Sequence, residues 1–193
     1  MSRDLEALHE EIRSCTRCRL SETRMHAVPG EGPEESRILC IGEAPGKRED
    51  EEGRPFVGRA GTELDTLLDL IDLARSEVYI TSVVKCRPPE NRDPAQEEIE
   101  ACLPYLQEQI ALLDPGFIVP MGRYATWVIF RLFGLETRQI SDLHGRARRV
   151  TDRGRQRVLL PTYHPAVVMH NPNLRDALNQ DFQVLKDLLG DSS

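Results

Sequence analysis

Short, dense apolar runs alternate along the chain with longer stretches whose apolar residues recur every three or four positions. Ile38-Leu39-Cys40-Ile41 is apolar throughout, the pattern of a strand covered on both faces. Val78-Tyr79-Ile80 with Val83-Val84, and Phe117-Ile118-Val119, read the same way. Strands are therefore expected over 37–41, 77–84 and 117–119. Between them Leu64, Leu67, Leu68 and Ile71 share one face of a helix over 58–74. Leu5, Leu8 and Ile12 do so in a helix near the start. Asp93-Pro94 reads as an N-cap followed by proline at the first helical position. That helix runs to about Leu113, with Pro104 as a kink or break. Further helices are expected over 124–133, briefly after Tyr163-His164-Pro165-Ala166, and over 175–189. A strand pair, 147–150 with 158–160, brackets an arginine-rich turn. There are no internal repeats. The alternation predicts an α/β fold: a single three-layer α/β/α domain over 1–193 with a mainly parallel sheet.

In open α/β sheets, ligands bind beyond the carboxyl ends of the strands. The first strand runs straight into Gly42-Glu43-Ala44-Pro45-Gly46, with a carboxylate at its exit. Glycine there permits unusual backbone angles and close approach of a ligand. The polar loop 42–57 is long, and loops of this length inside a domain are usually functional. Phe56 is its only aromatic residue. His164 follows the 158–160 strand and so falls at the same sheet edge.

Composition adds limits. Hydrophobic content of 39% and charged content of 30% over 193 residues suit one globular domain. No apolar run approaches the ~20 residues of a membrane span. The acidic, helix-like start is unlike a signal peptide, so a cytoplasmic protein is expected; a monomer is expected as well. A net charge of −7 argues against broad attraction to nucleic acid. A local basic face is still available, because seven arginines lie between Arg138 and Arg157 against Asp142 and Asp152. The acidic run Glu49-Asp50-Glu51-Glu52 reads as solvated surface.

Five cysteines in such a chain do not suggest a disulfide framework. Cys15 and Cys18 form a C-x2-C pair, while Cys86 and Cys102 have 15 residues between them. Four thiolates of this kind suit a structural zinc or an iron–sulfur cluster. Zinc is the usual occupant of a C-x2-C half-site, but the second pair is not one. Unconnected buried thiols are the third reading. Cys40, inside the strand, reads as a small core residue.

These stretches together resemble the family-4 uracil-DNA glycosylases, the iron–sulfur branch of the uracil-DNA glycosylase superfamily. The resemblance is carried by Gly42-Glu43-Ala44-Pro45-Gly46, Gly53-Arg54-Pro55-Phe56-Val57-Gly58, Val78-Tyr79-Ile80-Thr81, Val84-Lys85-Cys86-Arg87-Pro88-Pro89 with Asn91-Arg92, and His164-Pro165-Ala166. The four cysteines match in order and approximate spacing, so the likeness covers almost the whole chain. It implies a four-stranded parallel sheet and a [4Fe–4S] cluster on Cys15, Cys18, Cys86 and Cys102, with zinc the less favoured alternative. It also implies hydrolysis of the bond between uracil and deoxyribose in DNA.

A base inside a duplex must be flipped out to be reached, and Phe56 matches the residue it stacks on. Glu43 would act on the sugar side, orienting water or facing the cationic sugar. His164 would donate to the uracil oxygen where negative charge develops, as a neutral or a charged ring. Gly42, Ala44 and Pro45 would line the pocket, with Asn91 a further polar candidate. The family usually carries asparagine after Tyr-Ile-Thr; here the residue is Ser82, a shorter group with one donor and less specificity. The resemblance makes 167–171 a wedge into the duplex, and composition suggests Arg146, Arg148 and Arg149 for phosphates. No lysine nucleophile is evident near the motifs. The alternatives are a glycosylase for another deaminated base, motivated by Ser82, and a noncatalytic DNA-binding module.

Overall fold

The computed structural model describes residues 4–191, so the outermost residues of the expected 1–193 domain lie outside the described residues. The sheet has five strands: β1 (Ile38–Gly42), β2 (Tyr79–Ser82), β3 (Phe117–Pro120), β4 (Arg148–Asp152) and β5 (Arg155–Leu159). Their order is β2-β1-β3-β5-β4. The first four in that order are parallel, as the resemblance implies, but the sheet is not four-stranded: β4 is added antiparallel along β5.

Continuous apolar runs form here because both faces are covered. Leu39, Ile41, Tyr79, Ile118 and Leu159 pack on one side with α1 (Leu5–Ser14), α4 (Gln96–Leu113) and α5 (Arg123–Leu132). Ile38, Cys40, Ile80, Val119 and Val158 pack on the other with α3 (Arg59–Leu70) and α8 (Arg175–Gly190). Adjacent residues on one strand thus enter different half-cores. Leu39 and Ile41 are fully buried, and truncating either to alanine costs about 2–5 kcal/mol. No helix among the described residues is long and apolar enough to cross a membrane.

Three local expectations are corrected. The loop 42–57 contains a helix, α2 (Lys47–Glu52), closed by Gly53 at φ 68°. Helix α4 starts later than Asp93: Ala95 is its N-cap, and the Glu98 carboxylate returns to the Ala95 N–H at 2.8 Å. Asp93 instead accepts from Arg123 and from the Tyr124 hydroxyl. Pro104 does not break α4. It stands on the exposed face, where the carbonyl it leaves without a donor can bond water. The remaining short helices are α6 (Ile140–Leu143) and α7 (Val167–His170).

Candidate active site

The four parallel strands bring their carboxyl ends to one edge. Gly42 pairs in register with Ser82, and Met121 bridges to Thr162 just before His164. Gly122 follows β3 at φ 90°, and a Cβ there would lie 3.0 Å from the His164 Cβ. Phe56, Ser82 and His164 therefore meet around Gly42, and Glu43 follows Gly42 directly in the chain, with Asp93 and Arg123 as its charged neighbours. The Phe56 ring stands 5.7 Å from the His164 ring at 28°, close to parallel. It also lies against Gly42: a Cβ on Gly42 would sit 2.7 Å from two ring carbons and 3.3 Å from the Ser82 Oγ. Gly42 and Gly46 are absent from the positive-φ residues. The expectation of special backbone angles at these two positions is thus corrected. Gly42 is required as space for the aromatic ring.

Phe56 itself holds φ 49°, a left-handed angle costly for a bulky residue. Four hydrogen bonds hold it there. The Arg75 guanidinium donates to the Pro55 carbonyl at 2.6 Å and the Phe56 carbonyl at 3.0 Å. On the other side, one Glu49 carboxylate oxygen accepts from the Val57 and Gly58 N–H groups at 2.9 and 2.8 Å. Gly61 lets the turn close, since a Cβ there would fall 1.8 Å from the Phe56 carbonyl oxygen. The reading of 49–52 as solvated surface fails for its first two residues. Glu49 is a clamp, and Asp50 is buried and accepts from the N–H groups of Met25 and His26. Sequence reasoning missed Glu49 and Arg75. The only available signal was their flanking of an isolated aromatic.

Burial sets the charges. The Glu43 carboxyl is pushed up to about 7, first by desolvation and then by the Asp93 carboxylate, with the Arg123 guanidinium opposing. His164 is pulled down to about 4 by desolvation, against the opposing Glu49 carboxylate. It is neutral at physiological pH. Its Nδ1 accepts from the Ala166 N–H at 3.1 Å, so the ring proton resides on Nε2. The preceding segment is anchored by buried Asp181, which accepts from the Tyr163 N–H at 3.3 Å and from His144 at 2.8 Å. Ser82 is buried beside Gly42. Pro45 is buried and Ala44 packs partly against the core. Asn91 is not joined to this group. It is exposed at φ 55° and its side chain accepts from Arg87 at 2.7 Å.

The four cysteines line one cavity, walled by Ile12, Val84 and Tyr105. Cys15 caps the end of α1, Cys18 begins a 3-10 turn, and Cys102 lies within α4. Three donors reach their sulfurs: the Arg24 guanidinium to Cys86 at 3.0 Å, the Lys85 N–H to Cys102 at 3.2 Å and the Arg17 N–H to Cys15 at 3.5 Å. Among the described residues, no group of three or more His, Cys, Asp or Glu is arranged to hold a single metal ion. Cys40 is fully buried in the sheet, as expected.

The arginine-rich hairpin is divided by its register. Arg148 pairs with Leu159 at the pocket end, whereas Asp152 pairs with Arg155 at the far end. Arg157 is buried and paired with Asp114 and Asp152, and Arg155 also bonds Asp114. Arg146, Arg148 and Arg149 remain exposed. In α7, Val168 is buried while Met169 and His170 are exposed.

A family model described as the uracil DNA glycosylase superfamily matches residues 29–186. Among curated relatives, the type-4 uracil-DNA glycosylase of Sulfurisphaera tokodaii is 45% identical over 185 residues, 95% of this chain and 84% of the relative. That of Archaeoglobus fulgidus is 45% identical over 96% of this chain and 94% of the relative. That of Thermotoga maritima is 38% identical over the same shares, 96% and 94%.

Proposed function

The chain belongs to the uracil DNA glycosylase superfamily, and on that premise we propose that it excises uracil from DNA by hydrolysing the N-glycosidic bond. The observation that carries this reading is the pairing of a flat aromatic, Phe56, with a neutral imidazole whose Nδ1 is already occupied. A flipped base stacks on Phe56. The Nε2–H of His164 donates to the uracil oxygen on which charge accumulates as the bond breaks. Glu43, once ionised, faces the cationic sugar or orients the attacking water. Gly42, Ala44 and Pro45 wall the pocket, and the Ser82 hydroxyl meets the base edge. Asn91 has no role in this arrangement unless its loop moves. The bond is broken by water: Lys85, near the pocket, is buried, and with its nitrogen donating to three oxygens it has no lone pair free to attack the sugar.

The cysteine set supports a [4Fe–4S] cluster. Four thiolate donors share one cavity and receive three N–H bonds, as cluster sulfurs do. When bound, the cluster ties the N-terminal segment to the loop after β2 and to α4. Arg146, Arg148 and Arg149 hold phosphates, and Met169 and His170 enter the duplex. The enzyme acts as a cytoplasmic monomer.

Release of base from oligonucleotides carrying uracil, hypoxanthine or xanthine tests the proposal. Uracil release is expected, with His164→Ala and Glu43→Ala each slowing it by about 100-fold or more. Unchanged release by both variants would sink the mechanism. Ser82→Asn is expected to raise uracil preference; an unchanged ranking assigns the base edge to other groups.

A further inference from the structure

Lys85 is, with Tyr79, among the largest fully buried side chains, at 1% exposure. It lies between the base pocket and the cysteine cavity, which it lines. Its ammonium donates to the Thr81 hydroxyl at 2.7 Å, the Ser82 carbonyl at 2.6 Å and the Gln109 Oε1 at 2.6 Å. The polarity of this network is settled. The Thr81 hydroxyl and the Gln109 amide both donate to the Pro29 carbonyl, at 2.7 and 2.8 Å, so each turns an acceptor toward Lys85. Every acceptor is neutral, and among the described residues no carboxylate pairs with this cation. A buried charge requires a counter-charge. Burial works against this charge and pulls the ammonium down to about 7, and the Cys102 and Cys86 sulfurs oppose that fall. Its own N–H reaches the Cys102 sulfur at 3.2 Å.

We infer that Lys85 is the internal counter-cation of the anionic centre held by Cys15, Cys18, Cys86 and Cys102, and that through the Ser82 carbonyl it positions the base-reading strand end relative to that centre. The inference rests on the cluster proposed above. Iron bound by four thiolates and bridged by sulfide carries net negative charge. Arg24 answers that charge on one sulfur from a half-buried position, and Lys85 answers it from the interior. The role is one of positioning and charge balance; Lys85 touches no reacting atom.

The test uses the full-length purified holoprotein. Iron content and absorbance at about 400 nm first decide the cluster itself; wild-type protein without either overturns both readings. Lys85→Met removes the charge. Gln109→Glu keeps the lysine and sets an anion against it, so it preserves a measurable sample where the first variant fails to fold. Both variants are expected to shift the midpoint potential of the centre to more negative values. Lys85→Met is also expected to lose iron to a chelator several-fold faster and to lower kcat/KM for uracil while the iron is still bound. A wild-type potential in an iron-loaded Lys85→Met or Gln109→Glu protein overturns the inference and leaves the cluster standing.

Discussion

Glu43 and His164 are moved in opposite directions by the same cause. Desolvation penalises the charged form of each, so the carboxyl rises to about 7 and the imidazole falls to about 4. The proposed roles need Glu43 ionised and His164 neutral. Below pH 7 Glu43 takes up its proton, while His164 stays neutral throughout the useful range. The expected pH profile of kcat/KM is therefore a single ascending limb: tenfold per unit below about 7 and flat above it. Glu43→Gln should abolish that limb, and a bell-shaped profile in the wild type would contradict it. The sign for stability runs the other way. A carboxyl raised in the folded state favours folding fully below its unfolded value, and that contribution is lost as pH rises through about 7. Glu43→Gln should accordingly stabilise the fold at pH 8, by roughly 1–2 kcal/mol after allowance for partial exposure, and have little effect at pH 5.

Helix α2 carries what sequence pattern conceals at the level of elements. Its residues, Lys47-Arg48-Glu49-Asp50-Glu51-Glu52, offer no apolar stripe, so nothing in the periodicity of the loop marks a helix. Its role is polar: Glu49 caps the turn after Phe56, and Asp50 holds the chain at Met25 and His26. Glu49→Gln should weaken two charge-assisted bonds and release Phe56 from its strained angle. We expect kcat/KM for uracil to fall about tenfold, mostly through KM, with the pH limb of Glu43 unchanged. Steady-state kinetics across pH checks both parts. Elements with an apolar stripe were legible. Helices α3, α5 and α8 start and stop within a few residues of their expected positions. Helix α4 was misjudged at its start because Asp-Pro resembles a cap, whereas Glu98 caps Ala95 and grips Arg92 from within the helix.

Across the whole molecule, the cysteine cavity joins segments far apart in the chain: the end of α1, the loop after β2 and the second turn of α4. Helix α1 packs on α4 through Leu5, Leu8 and Ile12. A bound centre adds a covalent crosslink across some 70 residues, and closure of such a loop is worth about 4 kcal/mol by analogy with a disulfide. Stripping the iron should then lower Tm by about 10 °C, and proteolysis should begin between α1 and β1. Scanning calorimetry with and without chelator reads the first effect, and mass analysis of the fragments reads the second.

The type and approximate place of the strands and the residues at their carboxyl ends were legible in the sequence, whereas their order in the sheet and the two half-cores came from the tertiary structure. The legible features depend on local periodicity and on short motifs whose residues lie near one another in the chain. Tertiary structure alone decided which charges are buried and what they hold. Glu49 and Lys85 look like surface residues in any local window, and Asn91 looks like a pocket residue. Gly42 looks like a residue chosen for unusual backbone angles, yet it is the floor under an aromatic ring that arrives from 14 residues away. Burial is fixed by neighbours distant in sequence, and those neighbours shift the charges of Glu43 and His164 on which the proposed chemistry depends.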